Sequence, residues 1–122
     1  MFEGLTANPA VAKLQAGITF TARRHKVIAN NIANVTTPGY LAKDLSVTAF
    51  RKALRTSSAR ASEAIEVIDS PDAGAPRENG NNVSIETEMS KLSSNAIRHN
   101  IMISMLDKQF RMLESALRER IG

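Results

Sequence analysis

Three asparagines, Asn30, Asn31 and Asn34, stand within five residues of one another and are the most informative polar side chains of this chain. Each carboxamide offers two N–H donors and two acceptor lone pairs, but asparagine is a poor helix former and contributes little apolar surface. Because the three residues end a stretch with helical periodicity, they indicate hydrogen bonding that sets the register of one helix against another. They do not indicate acid, base or nucleophilic chemistry.

The other reactive side chains form no recognisable catalytic or metal-binding pattern. The chain has two histidines, His25 and His99, and no cysteine. A zinc site needs three or four ligands, and neither histidine stands in a His-x-x-x-His or Glu-x-x-His pair. The sequence contains no Gly-x-Ser-x-Gly elbow and no glycine-rich phosphate loop. We therefore expect no enzyme activity, no cofactor and no bound metal ion.

The residues after the asparagines predict a sharp turn. Pro38 disfavours helical backbone at Thr37, so the preceding helix must end before it. Pro38 and Gly39 suit the two central positions of a type II turn, in which glycine supplies the positive φ, and Tyr40 follows.

An N-terminal helix is predicted over residues 9–36. Asn8 is expected to be its N-cap and Pro9 its first residue, where the missing N–H costs no hydrogen bond. Between Val11 and Val35 the spacing of the apolar residues alternates between three and four. This pattern is typical of a helix that packs along one stripe.

A longer C-terminal helix is predicted over residues 84–121, with Ser84 as its N-cap. Its first apolar stripe runs from Ile85 through Met89 to Leu117. A second stripe lies beside the first and contains Ile97, Ile101, Met105 and Met112. Two helices alone can bury only one stripe each, so the second stripe would stay exposed, which usually marks an interaction site.

Outside these helices, Leu41 to Leu54 still holds apolar positions, at Leu45, Val47, Phe50 and Leu54. Residues 1–8 are expected to be a flexible N-terminus, and residues 37–54 to hold the turn and one short docked segment. Residues 55–83 contain a single apolar island, from Ile65 to Ile68. Such a segment buries too little to offset its ordering entropy, so a flexible or disordered linker is predicted there.

The predicted fold is therefore all-α. Two long amphipathic helices form an antiparallel hairpin with a flexible central segment, and coiled-coil-like packing between molecules completes it. In one register of such a hairpin, His25 and His99 would lie at about the same level of the two helices. In another register, each histidine would face solvent or a neighbouring subunit.

The charge distribution gives little support for nucleic-acid binding. The net charge is +4, and its only basic cluster is Arg23-Arg24-His25-Lys26, which has no aromatic neighbours on which bases could stack. No apolar run is long enough to span a membrane, so membrane insertion is not expected. The first residues lack a basic segment followed by an apolar core, so a cleaved secretory signal is not expected either.

Two stretches of this sequence resemble a known family. The first is Ala29 to Tyr40, which reads Ala-Asn-Asn-Ile-Ala-Asn-Val-Thr-Thr-Pro-Gly-Tyr. It resembles the N-terminal signature of flagellar axial proteins, the family that builds the rod, hook and related segments of the bacterial flagellum. The second is Gly80 to Met89, together with Asn95 and the stripe that follows. It resembles the C-terminal half of the proximal-rod branch of that family.

The resemblance implies a non-enzymatic structural subunit of the proximal rod in the flagellar basal body. It implies a rod that crosses the periplasm, and export by the flagellar type III apparatus without a cleaved signal peptide. The implied partners are other rod and basal-body proteins, further copies of this chain and the export apparatus.

We expect the assembly interface to combine the asparagine cluster, the turn and the apolar face of the second helix. Its candidate residues are Asn30, Asn31, Asn34, Pro38, Gly39, Tyr40, Ile97, Ile101, Met105 and Phe110. Phe50 and Leu54 have the Phe-x-x-x-apolar spacing of a candidate export element, although any amphipathic turn can contain it. The alternative is a free-standing helical adaptor or nucleic-acid-binding hairpin, which rests only on basicity and the apolar stripes.

Overall fold

The computed structural model describes residues 8–55 and 60–121. The chain is mostly helical, and two of its helices are long. In chain order the elements are α1 (Pro9–Ala33), β1 (Lys43–Leu45), α2 (Val47–Leu54), a short 3-10 helix (Ala61–Ala64), β2 (Val67–Asp69) and α3 (Ile85–Ile121). The predicted flexible N-terminus lies outside the described residues, except for Asn8.

Helix α1 begins as its sequence indicates. The Asn8 side chain accepts a hydrogen bond from the Ala10 backbone N–H at 2.9 Å, and Pro9 is the first helical residue. The helix ends at Ala33, three residues before the predicted end at residue 36. Asn34 leaves the helical conformation, with φ −104° and ψ 18°, while its carboxamide donates to the Asn30 carbonyl at 2.8 Å. A side chain that bonds a carbonyl of the preceding helical turn offers the backbone an alternative to further helical hydrogen bonds, which favours the end of the helix.

Helix α3 packs along α1 in the opposite direction. Asn31 of α1 contacts Glu88 of α3, and Thr21 contacts Asn95. Further along, a Cβ placed on Gly17 would meet the sulfur of Met102. Positions therefore fall along α1 as they rise along α3, so the two helices run antiparallel where these contacts lie.

A two-stranded antiparallel sheet lies beside the helices. Its register pairs Lys43 with Asp69, Asp44 with Ile68 and Leu45 with Val67. The prediction of an all-α fold missed this sheet. The reason is that each strand has only three residues and β2 is exposed along its whole length, so no alternating apolar pattern marks it.

The apolar core joins α1 to the shorter elements. It consists of Ala16, Phe20, Leu45, Phe50 and Ile65. The Phe20 and Phe50 rings stack with their centroids 4.1 Å apart and their planes 5° apart. α2 is the docked segment that the sequence predicted within residues 37–54.

Part of the predicted flexible linker is built into this core. Ile65 is buried, and both its carbonyl and that of Ser62 accept hydrogen bonds from the Arg23 guanidinium. β2 also falls within residues 55–83. The sequence did not indicate this order, because the residues that fix the segment belong to α1 and β1. Among the described residues, no helix is both long and apolar enough to cross a membrane.

Candidate functional site

Asn31 is completely buried and uses all of its hydrogen-bonding capacity inside the chain. Its Nδ2 donates to the Lys43 carbonyl at 2.7 Å and to Oε2 of Glu88 at 3.0 Å. Its Oδ1 accepts from the Tyr40 hydroxyl at 2.8 Å and from the Lys43 N–H at 3.0 Å. One side chain therefore joins α1, the turn, β1 and α3, and no donor or acceptor of it remains for a neighbouring molecule.

Asn81 is a second fully buried amide, placed just before α3. Its Nδ2 donates to the carbonyls of Asn34 and Thr37, both at 2.8 Å. Its Oδ1 accepts from the Val83 N–H at 2.7 Å and from Nη2 of Arg77 at 3.0 Å. Asn81 thus binds the end of α1 and its turn to the segment that leads into α3.

Two further asparagines lie at the outer side of these contacts. Nδ2 of Asn30 donates to the Tyr40 hydroxyl at 3.0 Å, which fixes that hydroxyl as the donor to Asn31. Oδ1 of Asn34 accepts from the Thr37 hydroxyl at 3.0 Å. We call this set the amide network: Asn30, Asn31, Asn34, Thr37, Tyr40, Asn81 and Glu88.

The turn after α1 adopts the predicted geometry. The Tyr40 N–H donates to the Thr37 carbonyl at 3.3 Å, and Gly39 has a φ of +75°. The Gly39 N–H then donates to the Asn79 carbonyl at 2.9 Å. A Cβ on Gly80 would stand 3.2 Å from the Cα of Gly39, and Asn31 bonds Glu88, so the two sequence stretches that carry the family resemblance lie against each other in the fold.

A cluster of charged side chains continues the network between α1, β1 and α3. Arg24 binds Asp44 through two hydrogen bonds, from Nε at 2.8 Å and from Nη2 at 2.9 Å. Nζ of Lys91 lies 2.6 Å from Oδ1 of Asp72, 3.5 Å from Oδ2 of Asp44 and 3.8 Å from Oε1 of Glu88. Asp44 and Glu88 are almost completely buried, so each carboxylate depends on these cations and amides.

The environment shifts the pKa values of this cluster. Burial acts to raise the pKa of Asp44, but the hydrogen bonds and charge of Arg24 outweigh it, and the net pKa is lowered. The same balance holds at Asp72, where Lys91 outweighs the effect of burial and the pKa is also lowered. The hydrogen bond to Asp44 raises the pKa of Arg24 against the opposing effect of burial. All three groups therefore stay charged in the folded chain at neutral pH.

The sequence patterns did not reveal the roles of Asp44, Glu88 and Lys91. The apolar periodicity placed Ile85 and Met89 on the first apolar stripe of α3, which was expected to pack, but these residues are 48% and 49% exposed. The face that meets α1 at this end is polar, and it carries Glu88, Lys91 and Asn95. The sequence does carry one signal for this polar face, because its three residues are spaced by three and four. The apolar residues of α3 have the same spacing, and the prediction followed them.

Further along α3, several large apolar side chains are exposed. Ile97 is 60% exposed, Ile101 53%, Met105 51% and Met112 58%. These four residues follow the helical repeat, and we call them the α3 stripe. Phe110, which the sequence assigned to the same interface, is 39% exposed. Exposed apolar residues in a continuous row usually mark an interaction site.

The remaining predicted site residues differ in their surroundings. Asn30, Pro38 and Gly39 are exposed, whereas Asn34 and Tyr40 are half-buried. Phe50 is buried against Phe20, and Leu54 packs against the same core. The fold thus gives the candidate export element a packing role.

The basic cluster of α1 is partly used within the chain. Arg24 is paired with Asp44, and Arg23 donates to the Ser62 and Ile65 carbonyls. Two of its cations are therefore committed to the fold, which weakens the case for nucleic-acid binding. In the described ranges, no group of three or more His, Cys, Asp or Glu side chains is arranged to hold a metal ion.

The sequence is similar to that of known proteins. Residues 17–40 match the profile of a family described as "Flagella basal body rod protein". This match covers α1 from Gly17 onward and the turn, including Asn31 and Tyr40. The chain is also similar to the flagellar basal body rod protein FlgB of Bacillus subtilis (strain 168). The two are 32% identical over an alignment of 132 positions, which covers 96% of this chain and 95% of that protein.

Proposed function

Because the chain belongs to the flagellar basal body rod protein family, we propose that it is a subunit of the proximal rod. In this proposal the subunits assemble through their N- and C-terminal helices. The family itself is a structural one and not a family of enzymes.

One observation carries the proposal of assembly through the helices. The amide network pairs Asn31, Asn81 and Glu88 within one chain, while the α3 stripe remains exposed. Burying apolar surface stabilises association by about 25 cal/mol per Å² before the costs of ordering, and four large side chains in a row provide a continuous strip of such surface. The proposal is that neighbouring subunits cover this strip with coiled-coil-like packing.

We further propose other rod and basal-body proteins as neighbours, along with additional copies of this chain. In this proposal the chain reaches the periplasm-spanning rod through the flagellar type III export apparatus, without a cleaved signal peptide. Asn30 of α1, Pro38 and Gly39 of the turn, and Phe110 of α3 are further candidate contacts with neighbouring subunits.

The proposal can be tested in the source bacterium after deletion of its own copy of the gene. We expect a plasmid-borne Ile101→Asp chain to fail to restore swimming and to give no complete rods in basal bodies viewed by electron microscopy. The matched control is Val67→Asp, because Val67 is 49% exposed but lies on β2, outside α3. It should restore swimming.

Immunodetection of both variants in the exported fraction separates failure of assembly from failure of export. If the Ile101→Asp chain is exported and restores swimming as well as the wild type, the α3 stripe is not an assembly surface. If the wild-type chain does not localise to basal bodies, the structural role itself is contradicted.

A further inference from the structure

Asn79 and Gly80 form the only Asn-Gly pair of the sequence, and they lie in the loop that leads into α3. In such a pair the backbone nitrogen of glycine readily attacks the preceding carboxamide, because glycine has no Cβ to block the approach. Asn79 is also exposed, so water reaches its side chain. The loop therefore combines the residue types and the solvent access that deamidation requires.

We infer that Asn79 is a site of spontaneous deamidation, with water as the co-reactant. The Gly80 nitrogen loses its proton to solvent and attacks Cγ of Asn79, so that an N–Cγ bond forms. The Cγ–Nδ2 bond then breaks, and Nδ2 takes up a proton and leaves as ammonia. Water opens the resulting five-membered imide. Attack at Cγ gives aspartate, whereas attack at the backbone carbonyl carbon gives isoaspartate, in which the chain continues through Cγ.

A hydrogen bond within the loop restrains the attacking nitrogen. The Gly80 N–H donates to the Arg77 carbonyl at 2.8 Å, and the Arg77 N–H donates to the Asn81 carbonyl at 2.8 Å. While the first bond is in place, the Gly80 proton is held by a protein acceptor and is not lost to solvent. The loop must therefore open at this bond before the reaction starts.

The carboxamide of Asn79, in contrast, is placed to react. Its Oδ1 accepts a hydrogen bond from the Asn81 N–H at 3.1 Å. Negative charge develops on this oxygen when Cγ becomes tetrahedral, and a fixed N–H donor stabilises such charge. The fold therefore assists the reaction at Asn79 but withholds the nitrogen of Gly80.

The side chains at the two ends of the loop make its opening costly. The Arg77 guanidinium donates to the carbonyls of Val83 at 2.7 Å and Val35 at 3.2 Å. Asn81 is fully buried and donates to the turn after α1. Several hydrogen bonds therefore keep the loop closed, against the single bond that assists the reaction. The folded chain should thus deamidate more slowly at Asn79 than the unfolded chain.

The isoaspartate product does not fit the folded loop. It adds a carbon atom to the backbone at residue 79, whose carbonyl accepts the Gly39 N–H at 2.9 Å. Gly80 lies so close to Gly39 that a Cβ on it would stand 3.2 Å from the Gly39 Cα, so the loop has little room for a longer backbone. Deamidation at Asn79 therefore weakens the junction between the turn after α1 and the start of α3. The inference does not depend on the proposed rod function.

The test incubates the full chain at mildly alkaline pH, folded in buffer and unfolded in urea. Peptide mapping by mass spectrometry measures the conversion of amide to acid at each asparagine, and chromatography separates aspartate from isoaspartate. We expect Asn79 to convert at least about tenfold faster in urea, because the bonds that close the loop are lost there. Asn100 is the internal control, since it is exposed but precedes Ile101, and it should stay intact over the same period.

Two variants test the role of the loop in the folded chain. Arg77→Ala removes the guanidinium that anchors the loop and should speed the conversion of Asn79 about threefold or more. Glu78→Ala is the matched change at the adjacent exposed position and should alter the rate by less than about twofold. Circular dichroism establishes that both variants keep their helices under these conditions.

A third variant tests the effect of the product on stability. Asn79→Gln has a longer side chain that does not form the five-membered imide, so it should keep its urea midpoint after prolonged incubation. The wild-type chain should unfold at lower urea concentration as isoaspartate accumulates. The inference is overturned if Asn79 stays intact in urea, or if it converts equally fast in the folded and the unfolded chain.

Discussion

Gly80 lies so close to Gly39 that a Cβ on Gly80 would stand 3.2 Å from the Cα of Gly39. Both residues have a positive φ, +75° at Gly39 and +82° at Gly80. One belongs to the turn that ends α1, and the other to the turn that precedes α3. Their contact, together with the hydrogen bond from the Gly39 N–H to the Asn79 carbonyl, holds the turn that ends α1 against the turn that precedes α3.

We expect Gly80→Ala to destabilise the chain by about 1–3 kcal/mol, since alanine disfavours positive φ and its Cβ would press on the neighbouring backbone. The measurement is the free energy of unfolding in urea. Gly74→Ala is the control, because a Cβ there meets nothing within 4 Å. It should change the free energy by no more than about 0.5 kcal/mol. Equal stability of the two variants would show that the Gly39–Gly80 contact does not constrain the fold.

Asn31→Ala should lower the free energy of unfolding by about 3 kcal/mol, because it leaves the Lys43 backbone groups and the buried Glu88 carboxylate without their amide partner. Helix content should not fall, since alanine is the better helix former. Asn30→Ala is the matched change at an exposed neighbour and should cost less than about 1 kcal/mol. Circular dichroism during urea unfolding measures both quantities. An Asn31→Ala chain as stable as the Asn30→Ala chain would contradict the amide network.

The charged cluster predicts loss of stability in acid. The pKa values of Asp44 and Asp72 are lower in the folded chain than in the unfolded chain, so the folded state binds fewer protons. Their stabilisation is fully present above the unfolded value near 4 and disappears as the pH falls through the lower folded values. Urea unfolding should therefore give a nearly constant free energy from about pH 7 to pH 5 and a falling one below about pH 4.

Asp44→Asn tests the origin of this dependence. It should cost roughly 3–5 kcal/mol at pH 7, because Arg24 and Lys91 would lose a buried carboxylate, and it should flatten the decline in acid. Asp107→Asn is the control, since the Asp107–Arg111 pair is exposed on α3. It should leave both the stability and its pH dependence nearly unchanged. An unchanged acid response in Asp44→Asn would assign it to other groups.

Phe50 separates packing from export. Phe50→Ala should destabilise the folded chain by about 3–5 kcal/mol, because it removes a buried ring stacked on Phe20. Since this cost arises in the folded state, we expect near-normal amounts of the variant in the exported fraction and a defect in rod assembly. A loss of export with normal stability of the purified chain would instead support Phe50 and Leu54 as an export element.

Local signals in the sequence were sufficient for the helix starts and the turn. Asn8 and Pro9 begin α1, Ser84 precedes α3, and Pro38 with Gly39 makes the turn, because in each case the relevant contacts are made within a few residues. Of the three asparagines that end α1, Asn31 bonds the other long helix, whereas the side chains of Asn30 and Asn34 bond the turn and their own helix. Their partners could not be predicted, since Asn31 meets Glu88 only after the chain has folded back on itself.

The sheet and the charged cluster likewise depend on contacts between residues that are far apart in the sequence. Apolar periodicity predicted that Ile85 and Met89 would face α1, but the paired charges of Glu88 and Lys91 occupy that face instead. A buried charge is unfavourable unless its partner is close, and the sequence does not reveal that Asp44 and Asn31 would supply this environment. The α3 stripe, in contrast, could be predicted from the sequence alone, because α3 has more apolar positions than one packed stripe needs.

The amide network joins the two long helices within one chain, and we propose that the α3 stripe is left for neighbouring subunits. Light scattering of the purified chain over a wide range of concentration tests this division of roles directly. We expect the wild-type chain and the Val67→Asp chain to associate as concentration rises, whereas the Ile101→Asp chain keeps its helix content and remains monomeric. Equal association of the wild-type and Ile101→Asp chains, or a wild-type chain that stays monomeric throughout, would contradict it.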